Sequence, residues 1–214
     1  MASLCSVVWR RARSTACVAV ATSVIVAVGA SAASAKTATF GSSLNHTPAN
    51  AGSSCSDDGV GQPGDVCTHV GSDYPGTSGH AKAPVSGTIV QLKVRPEGPL
   101  TFVPEVVSVR HVASDFQSGQ AKATARGHQI SLPGPTQDQQ SNSVYPIVKV
   151  SVKLKVKKGQ EIAINTASNT AEYCSDGTPG QLLFDPVLAP GSSAFHTSQG
   201  VDGCLMLVQA KIKH

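Results

Sequence analysis

The chain has 214 residues, with 17 Lys and Arg against 13 Asp and Glu, six Cys and one Trp, for a formal net charge of +4. That length suits one domain with a real core, and the near-balanced hydropathy argues against both an integral membrane protein and a fully disordered chain. Only 14 % of residues are charged, which speaks against a strongly basic nucleic-acid binder.

The first 35 residues read as an address. Arg10, Arg11 and Arg13 form a positive region, Cys17 to Ala30 is an apolar stretch, and Ala33-Ser34-Ala35 offers small residues for a signal peptidase. This is the three-part pattern of a secretory signal, with cleavage expected after Ala35 and a single mature domain over 36–214. The apolar run is short and diluted for a membrane span, so no membrane attachment is expected after cleavage. Cleavage leaves 14 basic against 13 acidic residues, a net charge of +1, four cysteines and no Trp.

After residue 35 no sustained apolar stripe of helical period appears, and strands dominate. A short one is predicted at Thr37 to Phe40. Ser86 to Arg95 is the next, then Glu105 to Val112, then a weaker one over Ala121 to Leu132. Val148 to Lys157 alternates without a break, Val and Leu on one face and Lys on the other. Lys158-Gly159 supplies a turn, and Glu161 to Asn165 is predicted to pair back as a hairpin partner. Gln181 to Phe184 and Cys204 to Lys213 complete about eight strands. The pattern predicts an all-β fold, an antiparallel two-sheet β-sandwich of jelly-roll type. Three polar stretches, 41–82, 112–143 and 166–200, are expected to be long loops.

Cys55, Cys67, Cys174 and Cys204 remain after cleavage. An even number in an exported chain predicts two disulfides. Three pairings are possible; Cys55–Cys67 and Cys174–Cys204 are preferred because each closes loops around its own stretch. Such loops contribute roughly 3 and 4 kcal/mol. The spacings suit no zinc pattern.

Phe40-Gly41-Ser42-Ser43-Leu44 opens the mature region, and a cysteine-bearing loop follows. Next comes Ala83-Pro84-Val85-Ser86-Gly87-Thr88-Ile89-Val90. Later, Val156-Lys157-Lys158-Gly159-Gln160-Glu161-Ile162-Ala163-Ile164 precedes a second cysteine-bearing segment and a last Val/Ile-rich strand. This order resembles a group of secreted β-sandwich proteins from high-GC Gram-positive bacteria, in which a "G-x-I" strand and a later "V-x-x-G-D-x-I-G-I" strand recur. Here Gln160 stands for the acidic residue and Ala163 for the glycine. The resemblance spans most of 40–213 and implies a sandwich fold and secretion; it carries no catalytic residue over.

Several candidate sites follow from the residues. Lys149, Lys153, Lys155, Lys157 and Lys158 could attract a polyanion, or protect an exposed sheet edge. Asp57, Asp58, Asp65 and Asp73 could contribute oxygens to Ca²⁺, although no D-x-D-x-D-G pattern is present. His69 and His80 share a region with Asp73 and Ser78, yet Gly76-Thr77-Ser78-Gly79-His80 is not a nucleophile elbow and no H-E-x-x-H occurs. Tyr74 and Tyr173 are the aromatic rings best placed in loops to contact a ligand, their alternative role being packing beside the disulfides. Two functions stand from this reading. The first is a secreted, non-enzymatic binding or surface-interaction module whose partner is a cell-wall polymer or polysaccharide, with no nucleic acid. The second is a secreted hydrolase or lyase acting on polysaccharide.

Overall fold

Strands that are apolar on one face need a facing apolar surface, and two sheets supply it for each other. The structure is a computed structural model and describes residues 35–49, 55, 59–62, 64–71, 78–110, 112–113, 118–174 and 180–214. In chain order the strands are β1 (Thr37–Ser42), β2 (Cys67–Gly71), β3 (Gly79–His80), β4 (Gly87–Val94), β5 (Leu100–Arg110), β6 (Gln120–Arg126), β7 (Ile130–Leu132), β8 (Val148–Val156), β9 (Glu161–Thr166), β10 (Glu172–Cys174), β11 (Gln181–Phe184), β12 (His196–Thr197), β13 (Gly200–Asp202), β14 (Cys204–Met206) and β15 (Val208–Lys213). One sheet has the order β3-β1-β15-β4-β8. A larger one runs β12-β6-β5-β9-β2-β11-β13, with β7 on the other end of β5, and β10-β14 form a small ribbon. All pairings between these strands are antiparallel.

The main core draws on both sheets. Ile89, Leu92, Leu154, Val156, Val208 and Ile212 come from the smaller sheet and meet Phe102, Val106, Ile162 and Ile164 from the larger. Full burial of each such side chain stabilises by roughly 1.5–3 kcal/mol. A second cluster, Val70, Val107, Ala123, Ala163, Leu182 and Phe184, lies on the far face of the larger sheet beneath Leu188. The larger sheet is therefore covered on both faces.

That double cover corrects the predicted hairpin. β8 pairs with β4, whereas β9 lies between β5 and β2 in the other sheet. Every residue of β9 is buried, so it belongs in a sheet interior, while half-exposed β8 suits an edge. Gly159, at φ +85°, turns the chain from one sheet to the other instead of closing a hairpin.

Other differences have local causes. Gly127 to Gln129 split the strand expected over 121–132 into β6 and β7. The last strand breaks at Leu207, whose amide donates to Ala171 and whose carbonyl accepts from Arg95. Within the stretches expected to be loops lie β2, β3, β10 and β12, besides β11, which stands where Gln181 to Phe184 predicts a strand. A short exposed helix, α1 (Gln137–Ser141), stands where no helix was expected. Its capping box joins the Thr136 hydroxyl to the Gln139 amide and the Gln139 side chain to the Thr136 amide.

Disulfides join Cys55 to Cys67 and Cys174 to Cys204. Two disulfides point to an oxidising environment. Among the described residues no helix is long and apolar enough to cross a membrane.

Candidate functional site

Period-2 alternation decides what the smaller sheet shows to solvent. Leu92 and Val94 on β4, Leu154 and Val156 on β8, and Ala210 and Ile212 on β15 point into the core. The residues between them point outward: Lys93, Lys149, Lys153, Lys155, Lys211 and Lys213. The register places these lysines in one lattice. Thr37, Lys213, Thr88 and Lys155 form one row, and Gln209, Lys93 and Lys149 another. Strands lie about 4.8 Å apart and outward neighbours along a strand about 6.7 Å apart.

None of the five strands of this sheet contains Asp or Glu. Lys93 donates to Gln209 (3.1 Å) and Lys155 to Thr88 (3.1 Å), both neutral acceptors. Among the described residues the one ion pair lies elsewhere, between Arg126 and Glu105. Among the described residues, then, the strands of this face carry lysines and no carboxylate. Outward neighbours are Thr37, Thr39, Thr88, Gln91, Ser151 and Gln209, with no Trp, Tyr or Phe among them.

The basic strip continues around the free edge of β8. A cavity of about 420 Å³ is lined by Ser86, Thr124, Lys155, Lys157 and Gln160. A second, of about 270 Å³, is lined by Arg126, His128, Ser151 and Lys153. Of the five lysines marked in the sequence, Lys149, Lys153 and Lys155 stand on the outer face of β8. Lys157 and Lys158 follow the end of the strand, where the Lys158 amide donates to Ser86. Lys93, Lys211 and Lys213 were missed because they sit on strands distant in sequence. Their signal was the same Lys/apolar alternation in Leu92–Val94 and Ala210–Lys213.

The acids of the strands are all in the larger sheet or the ribbon, and all are buried: Glu105, Glu161, Glu172 and Asp202. Burial raises the Glu105 carboxyl, against the opposing pull of Arg126 and Asn165. Burial pushes Glu161 up to about 8, with Lys82 acting in the other direction. The Gln181 amide donates to Glu172 (3.0 Å), Asp202 (3.2 Å) and the Cys204 carbonyl (3.2 Å), and accepts from Asn169. His69, fully enclosed, is pushed down to about 4 by burial, which the hydrogen bond with Gln181 only partly offsets. It is a neutral core histidine. Where the acids are enclosed and the lysines exposed, the sheet face is left with one sign of charge.

The remaining candidates are placed as follows. Tyr173 is half-buried on β10 with its ring stacked on His46, centroids 4.6 Å apart. Asp65 accepts from the Gln62 amide (2.7 Å), closing its own turn. Asp57, Asp58, Asp73 and Tyr74 lie outside the described residues. His80 is exposed on β3, whereas His69 is in the core, so the two are not brought together. Ser78 meets a different histidine, His46, at 2.9 Å. Compared with protein-family models, curated proteins and solved structures, the chain matches none.

Proposed function

We propose that this protein is a secreted binding module that holds an anionic polymer, of the cell-wall or acidic-polysaccharide kind, on the outer face of its five-stranded sheet. One observation carries the reading: six lysines share that face and none of its strands contains a carboxylate. Clustered like charge raises the local concentration of a polyanion, and lysine heads on flexible stems suit repeated, loosely positioned acidic groups. Nucleic acid is the weaker partner, because single strands gain much of their affinity by stacking bases on aromatic rings, which this face lacks. The signal-like leader and the two disulfides support an extracellular site of action. A jelly-roll path is the finer fold reading, supported by the first and last strands pairing at the centre of one sheet.

The test is retention on immobilised polygalacturonate and on polyphosphate, with neutral dextran as control. Wild-type protein is expected to bind both anionic polymers and not dextran. Replacing Lys93, Lys149, Lys153, Lys155, Lys211 and Lys213 together by Gln is expected to abolish retention. Equal retention of wild type and this variant would overturn the proposal.

A further inference from the structure

A hydroxyl and an imidazole far apart in sequence meet beside β1 and β3. The chain reverses after β1 through Leu44, at φ +61°, its amide held by the Ser42 hydroxyl (2.9 Å). A branched residue keeps that conformation only where its surroundings impose it. Arg95 imposes it here, donating from one guanidinium nitrogen to the carbonyls of both Leu44 and His46 (3.0 Å each). The His46 ring is then flattened against Tyr173, and its Nε2 lies 2.9 Å from the Ser78 hydroxyl. The Ser78 carbonyl is fixed by the Ser43 amide (2.6 Å). A hydroxyl within reach of an imidazole that a third group orients is the arrangement that activates a serine nucleophile.

Two further observations point to a reacting partner. Among the described residues the enclosed Ser43 hydroxyl has no hydrogen-bond partner, which costs free energy unless another group supplies one. A cavity of about 190 Å³ lies beside β1 and β3, lined by Ser42, Ser43, Gly79, His80 and Gln209. Gly79 follows Ser78 directly. Its hydrogen leaves room where a Cβ would run into the Gly41 carbonyl.

We propose that Ser78 and His46 form a nucleophile–base pair that hydrolyses short acyl esters. His46 Nε2 takes the hydroxyl proton as Ser78 Oγ bonds to the ester carbonyl carbon. The carbon–oxygen bond to the alcohol then breaks, and His46 returns the proton to the departing alkoxide. Water, deprotonated by the same nitrogen, releases the acid from the acyl-serine and restores the hydroxyl. The small polar cavity beside Gly79, the residue after Ser78, suits an acyl group of acetyl or similar size. This activity goes beyond polymer binding and does not depend on the lysine face.

Treating the intact, oxidised protein with diisopropyl fluorophosphate tests it. The Oγ–P bond forms, fluoride leaves and the proton passes to His46. The expected result is one adduct per chain, mapped to Ser78 by peptide mass spectrometry, with hydrolysis of p-nitrophenyl acetate lost in step. His46→Gln is expected to slow labelling about 100-fold or more, and Ser78→Ala to remove the adduct. Folding of each variant is checked by near-ultraviolet circular dichroism. Because labelling of folded wild type decides by itself, a variant that fails to fold leaves the test intact. Folded wild type with no adduct, or with its adduct on another residue, overturns the proposal.

Discussion

Lys93 on β4 stands directly opposite Lys149 on β8, two like charges paired across adjacent strands. Such a pair opposes folding by a few tenths of a kcal/mol. A protein under selection for stability alone would place an acid at one of these positions, and this sheet has none to offer. The cost makes sense if an external anion relieves it. Lys149→Thr is therefore expected to stabilise the free protein by about 0.3–0.5 kcal/mol while weakening its retention on polygalacturonate. Chemical denaturation of the free protein and a binding isotherm at fixed salt measure the two effects. Loss of both stability and binding would contradict the relief argument.

Arg126 links the larger sheet to the segment that covers it. It pairs with Glu105 and donates to the Leu188 carbonyl (2.8 Å). Arg126→Ala leaves an enclosed carboxylate without its counter-charge. Full burial of both partners would set the loss at about 3–5 kcal/mol; with the arginine one-third exposed, about 2–3 kcal/mol is expected. Adding Glu105→Gln should recover part of it, since the uncompensated charge is then gone. Urea unfolding of wild type, single and double variants measures the recovery, and simple additivity would argue against the pairing.

Two buried groups set opposite pH dependences. Unfolded His69 takes up a proton near 6.5 and folded His69 only near 4, so its contribution is full above 6.5 and is lost as pH falls toward 4. Folded Glu161 keeps its proton up to about 8 whereas the unfolded group releases it near 4.5. Its contribution is full below 4.5 and is lost as pH rises toward 8. The slopes oppose each other between 4.5 and 6.5, and stability then declines from 6.5 to 8. Glu161→Gln should remove that decline, its advantage over wild type growing by up to about 4 kcal/mol between pH 5 and pH 8. Parallel stability curves for the two proteins would show that Glu161 does not titrate in this range.

The longer disulfide ties β10 to β14, where Cys174 and Cys204 are directly paired. Replacing both by Ser is expected to cost about 2–4 kcal/mol. The buried set around Gln181 should loosen with it, because Gln181 also bonds the Cys204 carbonyl. Hydrogen exchange at the amides of 181–184 reports this. Unchanged protection there would show the ribbon to be independent of its bridge.

The sequence made legible what depends on local alternation. The Val and Leu of β8, the Lys between them, and the amphipathic runs of β4 and β15 all declare their faces. What it hid depends on the environment. β2 is only Cys-Thr-His-Val-Gly, with one strongly apolar residue, yet it is fully buried near the centre of the larger sheet. There Thr68 is satisfied by Asn165 (2.7 Å), a partner almost a hundred residues away. β9 looked like a hairpin partner because turn chemistry is the same for a hairpin and for a sheet-to-sheet corner. Half of the lysine lattice was hidden for a related reason: local alternation gives Lys93 its face, but only the register sets it opposite Lys149. His46 and Ser78 could not be joined without the turn at Leu44.

Salt dependence of binding tests the central claim most directly. Titrating wild type with polyphosphate from about 50 to 300 mM NaCl should give a straight line of log K against log salt, each engaged lysine adding about 0.7 to the slope. With four to six lysines engaged, the expected slope is about −3 to −4, and the six-lysine Gln variant should retain no measurable binding. Wild-type binding that is absent, or equally tight at both ends of the range, would contradict the account.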